Sequence, residues 1–476
     1  MYRECQKFLL QVPDTTSSAS ALNPWRAGLI TGSSLSDIEN MSNPLDSDGP
    51  PDGRRLRILL IAYACEPDCG SEPGTGWNMA LALAEFHDVT VVTRANNRQA
   101  IEHFLCSNKG PNPAFLYLDP PFWFLRLKRS GLLPIQVFYG VWQACVALML
   151  KKEATLGYDI VHQLTFNSFE VPPLAFFCTN SVHIWGPVGG GQTVPLRMLA
   201  AFGPFGAILE LLRNLRVWLS AKNPLCRLAL KRSSLVLFAN RETQRILAGC
   251  DSDETILMID VGVDIHRFTP AVGMAKEKKK IILFAGRFDH RKGAIFLLDA
   301  FASVAAQYND VELRLVGDGP LRDKLESRAK SMRLANRVVF TGMINHERMR
   351  SEMAAADIFA FPSLRDTSGA VVLEAMATAL PIVCFDHQGA SVMVPDNCGI
   401  RIPPSSPGSA IANLADALLK LIKDDDLTSR MGLAARMHVV KTYHWQAKAA
   451  VINHFYLTLT AEKCGPWRSL GRLQGF

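Results

Sequence analysis

The stretch ADIFAFPSLRDTSGAVVLEAMATALPIVCFD, ending at Asp386, leaves the chain few ways to fold. An apolar run from Ile358 to Phe361 stops at Pro362-Ser363, and a polar loop follows. A helix-forming segment from about Gly369 to Ala379 then leads into a second apolar run, Ile382 to Phe385. A strand, loop, helix and strand of these lengths make half of a doubly wound α/β domain. The loop lies at the carboxyl end of a strand, where such sheets bind ligands. Thr367, Ser368 and Gly369 are small and open the helix, so free backbone N–H groups and the positive end of the helix dipole can face an anion such as a diphosphate. Asp366 precedes the helix and Glu374 lies five residues into it. Acids spaced D-x7-E around such a helix start can hold hydroxyls on both sides of a diphosphate, a ribose on one and a sugar on the other.

The same arrangement recurs upstream in KKKIILFAGRFDHRKGAIFLLDAF. A buried strand, Ile281 to Ala285, ends in Gly286-Arg287, and Lys292-Gly293 opens a helix with apolar period 3.6 through Phe296, Leu297 and Ala300. Two cations five residues apart at a strand end can converge on one diphosphate, Arg287 through its planar fork and Lys292 as a point charge. Alone, His290-Arg291-Lys292 reads equally as a solvated basic turn. Two more strands end in glycine turns, at Gly317-Asp318-Gly319-Pro320 and at Gly342-Met343-Ile344, where backbone can approach a ligand or simply bend.

Taken together, these motifs resemble those of the retaining family-4 glycosyltransferases, which have the GT-B fold of two Rossmann-like α/β domains facing a central cleft and carry E-x7-E after a P-S dipeptide. The resemblance covers most of residues 56 to 460. It implies a nucleoside-diphosphate sugar donor and a glycan or lipid-linked acceptor. On that pattern Gly286, Arg287, Lys292, Gly342, Met343, Asp366, Ser368, Gly369, Ala370, Val371 and Glu374 form the donor site, with Glu374 on the ribose and Asp366 on the sugar. Arg287 and Lys292 would neutralise the leaving diphosphate. This chain has Asp366 where the family usually has Glu, one methylene shorter. No metal or other cofactor is implied, and both D-x-D triplets, Asp46-Ser47-Asp48 and Asp251-Ser252-Asp253, read as solvated acids.

Ahead of this half, LRILLIAYACEPDCGSEPGTGWNMALALAEF reads as a strand from Leu56, a loop punctuated by Gly70, Gly74 and Gly76, and a helix from about Trp77 to Phe86. In the family the loop after the first strand lies across the cleft from the donor, which implies that Glu72, Gly74 and Gly76 shape the diphosphate or acceptor site. Glu72 reads equally as a partner of the helix dipole. His162 ends the strand of DIVHQLTF, where it can orient an acceptor hydroxyl or the transferred sugar, or be hydrogen-bonded behind the site. The phrase Asp260-Val261-Gly262-Val263-Asp264 resembles the family's domain boundary. The expected organisation is a disordered leader over 1–54, an acceptor-binding domain over 55–270, a nucleotide-sugar domain over 271–442, a helix over 443–462 crossing back to the first domain, and a tail over 463–476.

Net charge +7 favours anionic ligands or an anionic membrane surface, and no nucleic-acid module is recognisable. The 11 cysteines are scattered without zinc spacing and read as reduced thiols of a cytoplasmic protein. The leader does not read as a signal peptide, since Phe8-Leu9-Leu10 is too short an apolar run. Leu132 to Leu150 is uncharged with basic flanks but is interrupted by Pro134 and Gly140, so it reads as a buried or interfacial helix. Together with a segment from Phe202 to Leu219, whose apolar face has Arg213 and Arg216 beside it, it suggests a surface resting on anionic lipid at the cytoplasmic face of a membrane. Two rivals use the same motifs: another two-Rossmann nucleotide-sugar enzyme, an epimerase or hydrolase, and a catalytically weak sugar-nucleotide-binding partner of a glycan assembly complex.

Overall fold

A computed structural model describes residues 55–131, 133–152, 157–248, 256–270 and 279–464. The proposed leader, tail, D-x-D triplets and most of the interdomain linker lie outside them.

The first domain begins with β1 (Arg57–Ile61), α1 (Ser71–Ala84), β2 (Asp88–Thr93), α2 (Arg98–Ser107), β3 (Ala114–Tyr117), α3 (Phe122–Arg129), α4 (Ile135–Lys152), β4 (Ile160–Gln163) and β5 (Val182–Val188). It continues through α5 (Gly203–Ala221), α6 (Pro224–Arg232), β6 (Leu235–Phe238), α7 (Arg241–Ala248) and β7 (Ile256–Leu257). Its strands form one parallel sheet in the order β3-β2-β1-β4-β5-β6-β7. The central strands are buried on both faces, which is why Ile58 to Ile61 is an unbroken apolar run rather than an alternating one.

The second domain runs through β8 (Lys280–Ala285), α8 (Ala294–Gln307), β9 (Val311–Val316), α9 (Arg322–Ser331), β10 (Val338–Gly342), α10 (His346–Ala355), β11 (Ile358–Phe361) and α11 (Ala370–Ala377). Then follow β12 (Ile382–Phe385), α12 (Gln388–Met393), β13 (Gly399–Ile402), α13 (Pro407–Lys423), α14 (Asp425–Thr442) and α15 (Trp445–Cys464). Its sheet is also parallel, β10-β9-β8-β11-β12-β13. α15 returns to the first domain, where Trp445, Ala449, Ile452 and Tyr456 join the core between α1 and the sheet. The two sheets point their carboxyl ends at one cleft.

Three sequence expectations need correction. α1 starts at Ser71 rather than Trp77, so Gly74 and Gly76 are helical and buried. A Cβ on Gly76 would stand 2.2 Å from the Ala64 carbonyl oxygen and one on Gly74 2.1 Å from that of Cys69. These glycines let the helix lie against the chain leaving β1; they do not face the cleft. His162 is also displaced from its expected role. It is fully buried, between the Tyr456 hydroxyl at 2.6 Å and the Gly186 carbonyl at 2.6 Å. Burial pulls its imidazole down to about 4, which suits a neutral ring tying α15 to the sheet.

The third concerns the apolar helices. α4 buries Phe138, Tyr139, Trp142, Val146 and Leu150 against the sheet, an ordinary core face. α5 is turned the other way. Glu210, Val217 and Ala221 are buried, whereas Phe205, Ile208, Leu212, Leu215, Trp218 and Leu219 project into solvent, Phe205 at 75% exposure. Of its arginines, Arg213 donates to the Gln192 carbonyl, whereas Arg216 pairs with Glu170 at 3.1 Å while its side chain stays 57% exposed.

Candidate functional site

The cleft between the two carboxyl edges has a volume of about 1100 Å³. Of the residues singled out from sequence, Gly286, Arg287, Lys292, Met343, Asp366, Ser368, Gly369, Ala370, Val371, Glu374 and Glu72 all line it. Gly342 stands just behind, its carbonyl accepting the Gly317 N–H at 3.0 Å and so fixing the turn after β9. Gly74, Gly76 and His162 are not in the lining.

The anion-facing part is built by α11. Gly369 caps it at φ 82°, a left-handed conformation that an L side chain adopts at a cost, and a Cβ there would press on the Phe361 ring at 2.7 Å. The helix is therefore free to begin at the cleft wall. The N–H groups of Ala370 and Val371, in its first turn, have no carbonyl ahead of them within the helix. Lys292 leaves the short turn after β8 and pairs with Asp366, both side chains about four-fifths buried. Arg287 is two-thirds exposed and only loosely paired with Asp289 at 4.0 Å, which leaves its guanidinium reach across the opening.

Three acids in the cleft are desolvated. Burial pushes Glu374 up to about 7, opposed by the charge of Arg267. Glu72 is raised, chiefly by burial; its carboxylate accepts the Asn167 N–H at 2.5 Å, so it binds the β4 exit loop rather than only capping a helix. Asp260 is raised by burial too, and the Ser368 hydroxyl donates to it. Buried carboxyls with raised protonation equilibria gain most when a ligand brings them hydroxyl donors.

Sequence reasoning passed over Asp260, Asn167 and His346, all of which line the cleft. His346 opens α10 directly after β10 behind the cap Asn345, whose side chain accepts the Arg348 N–H at 2.9 Å. That strand–cap–helix signature at a carboxyl edge was available. Asp260 had no comparable local signal, because its burial comes from β11 exit residues 108 positions away. Among the described residues, no cluster of three or more His, Cys, Asp or Glu is placed to hold a metal ion.

Comparison with known proteins bears on the same half. Residues 267–438 match the family described as glycosyl transferases group 1. A phosphatidyl-myo-inositol mannosyltransferase of Mycobacterium tuberculosis is 33% identical over 224 residues, 46% of this chain and 57% of that protein. A D-inositol 3-phosphate glycosyltransferase of Corynebacterium jeikeium is 30% identical over 241 residues, 47% of this chain and 56% of the relative. The chain thus spans little more than half the length of these relatives. Among solved structures, a sucrose-phosphate synthase from Thermosynechococcus elongatus superposes with TM-score 0.59 at 20% identity over 86% of this chain and 100% of that one. An Anabaena protein solved with UDP and glucose gives 0.54 at 18% identity, covering 86% of this chain and 100% of its own. At such identities these two establish the fold, GT-B, and nothing further.

Proposed function

We propose that this chain, whose residues 267–438 match the glycosyl transferases group 1 family, is a retaining glycosyltransferase that moves a sugar from a nucleoside diphosphate to an acceptor hydroxyl. The observation that carries this reading is convergence: Arg287, Lys292, Asp366, the first amides of α11 and Glu374 meet in one cleft. The cations and amides bind the diphosphate, Glu374 accepts the ribose hydroxyls, and Asp366 accepts a hydroxyl of the transferred sugar. In the reaction the bond from the anomeric carbon to the diphosphate oxygen breaks. The acceptor oxygen forms its bond on the same face, and its proton passes to the departing diphosphate. No side chain need act as nucleophile; charge stabilisation by Arg287, Lys292 and the amides supplies the catalytic term. No metal has a role in this scheme, so turnover should survive EDTA at saturating donor.

The acceptor in this reading is lipid-linked, and the protein is peripheral on the cytoplasmic face of a membrane. Its support is the outward face of α5. The span Leu196–Ala221 contains an apolar window of 18 residues that is mostly exposed, and Lys222 lies 3.5 Å over the Trp218 ring at its end. An exposed apolar face with an aromatic and a lysine at its margin suits the boundary of a bilayer. Arg213 is engaged inward and Arg216 is paired with Glu170, so apolar insertion contributes beside charge. Vesicle binding should therefore weaken but persist as salt rises.

The test is nucleoside-diphosphate release from a panel of UDP- and GDP-sugars, with and without a lipid acceptor extract. Acceptor-dependent release supports transfer. Acceptor-independent release would favour a hydrolase, and binding without release a silent partner.

A further inference from the structure

Four consecutive residues of the loop after β11 are each bonded outside the loop, Arg365 and Thr367 directly to the first domain, Asp366 to it through Gln388 of its own domain, and Ser368 to Asp260 in the stretch that joins the domains. Arg365 pairs with Glu210 of α5 at 3.2 Å. The Asp366 N–H donates to the Gln388 side-chain oxygen at 2.7 Å, and the Gln388 amide nitrogen donates in turn to the Thr193 carbonyl at 2.9 Å. Thr367 accepts from Gln192, and Ser368 donates to Asp260. Arg213, one helical turn beyond Glu210, holds the Gln192 carbonyl. The segment carrying Asp366 and leading to the α11 amides is thus held from both sides, by Lys292 and Gln388 of its own domain and by Glu210 and Gln192 of the first.

The Glu210–Arg365 pair is the most costly of the ties. Their side chains are only 11% and 17% exposed, so both charges have been taken largely out of water. Burial brings Arg365 down from its ordinary value, with Glu210 acting against that and Arg291 adding to it. Such a pair adds little net stability over an apolar packing of the same volume. What it does supply is a buried charge contact between the domains: Glu210 Oε2 has no hydrogen-bond partner, so its attraction to the Arg365 guanidinium is what holds the loop to α5. α5 is the helix whose far side is bare of protein, so its near side is where the first domain grips the loop.

We propose that Glu210 and Arg365 are positioning residues for the donor: paired across the cleft, they set the loop from Arg365 to Gly369 so that Asp366 and the first α11 amides are aimed at the sugar diphosphate. The inference rests on reading that loop as the donor site.

The experiment uses full-length protein with the substitutions Glu210→Gln, Arg365→Gln, both together, and Glu210→Asp, beside Arg287→Ala as a reference. UDP and GDP affinities are measured by calorimetry, and KM and kcat from nucleoside-diphosphate release. Each of the Gln variants should raise the donor KM and weaken the better-bound nucleotide by about tenfold, with the double no worse than either single, because one link is lost in all three. Glu210→Asp should recover part of the loss, and thermal midpoints should not track the affinities. Affinity and KM within about twofold of wild type, losses that multiply in the double, or losses that follow the thermal midpoint would overturn the inference. If Arg287→Ala loses nucleotide affinity while Glu210→Gln keeps it, the donor reading stands and this inference falls. Failure of the wild type to bind either nucleotide removes the donor reading and this inference with it.

Discussion

The loop after β1 and the loop after β11 look alike in sequence, each a strand followed by small residues and an acid, yet they use their glycines for different ends. Gly369 has a positive φ and starts α11 at the cleft wall, presenting amides to a ligand. Gly74 and Gly76 sit inside α1 and let it touch the backbone of Cys69 and Ala64. Glycine after a strand is therefore ambiguous by itself. What separates the two loops is the charge around them: Lys292 and Asp366 converge beside Gly369, whereas from α1 only Ser71 and the acid Glu72 line the cleft.

The largest effect should come from removing the cations of the second loop's surroundings. Arg287→Ala or Lys292→Ala should each cost roughly 2–4 kcal/mol of transition-state stabilisation, read as kcat/KM for diphosphate release. Lys292→Ala carries an added penalty, because it leaves Asp366 without its partner. Near-normal turnover in the double variant would remove the distinction between the loops.

Gly76→Ala probes the other side of the comparison. With its new Cβ pressed against the Ala64 carbonyl, it should lose about 1–3 kcal/mol of stability by thermal or urea unfolding, while nucleotide affinity of the folded protein stays at the wild-type value. A selective loss of nucleotide affinity with stability unchanged would return Gly76 to the site.

Within the second loop, Glu374→Gln should weaken nucleoside-diphosphate binding by about tenfold, on the scale of a charge-assisted hydrogen bond. Asp366→Asn should leave that binding intact and impair transfer. Equal affinity losses in both would refute the division of labour. Glu374 also predicts a pH effect. Its folded value, about 7, is above its ordinary 4.5, so the folded chain holds a proton that the unfolded chain releases in this window. The group's contribution to stability is then full below about 4.5 and lost as pH rises through about 7. Glu374→Gln should accordingly gain stability over wild type above pH 7 and match it near pH 4.5, as measured by thermal midpoints across that range.

The smallest effect is expected at His162. His162→Gln keeps one hydrogen bond of the two and should cost about 1 kcal/mol of stability with donor KM unchanged. A raised donor KM at unchanged stability would place this histidine back in the chemistry.

These contrasts also mark how far the sequence could be read. The second domain was legible because its site is local: strand end, turn and helix start carry Gly286 to Lys292 and Asp366 to Glu374 in two short segments, and period and charge are visible within each. The first domain's contribution is assembled from distant positions. Asp260 meets Ser368, Glu210 meets Arg365, and Gln192 meets Thr367 only after both domains have folded and faced each other. His162 looked like a cleft residue from its place at a strand end, but α15, nearly three hundred residues later, covers it with Tyr456. The apolar run in α5 was visible, whereas the direction in which it faces goes with Glu210 meeting Arg365 of the opposite domain and Arg213 holding the Gln192 carbonyl of its own.

The central claim is that the second domain binds a nucleoside-diphosphate sugar whose transfer requires an acceptor held by the first. It is tested most directly by following nucleoside-diphosphate release from the best-bound nucleotide sugar, in wild type and in the Arg287→Ala/Lys292→Ala variant, with and without a lipid acceptor extract. The account predicts release by wild type only when acceptor is present, and none above background from the variant. Equal release from both proteins, or release from wild type that ignores the acceptor, would contradict it.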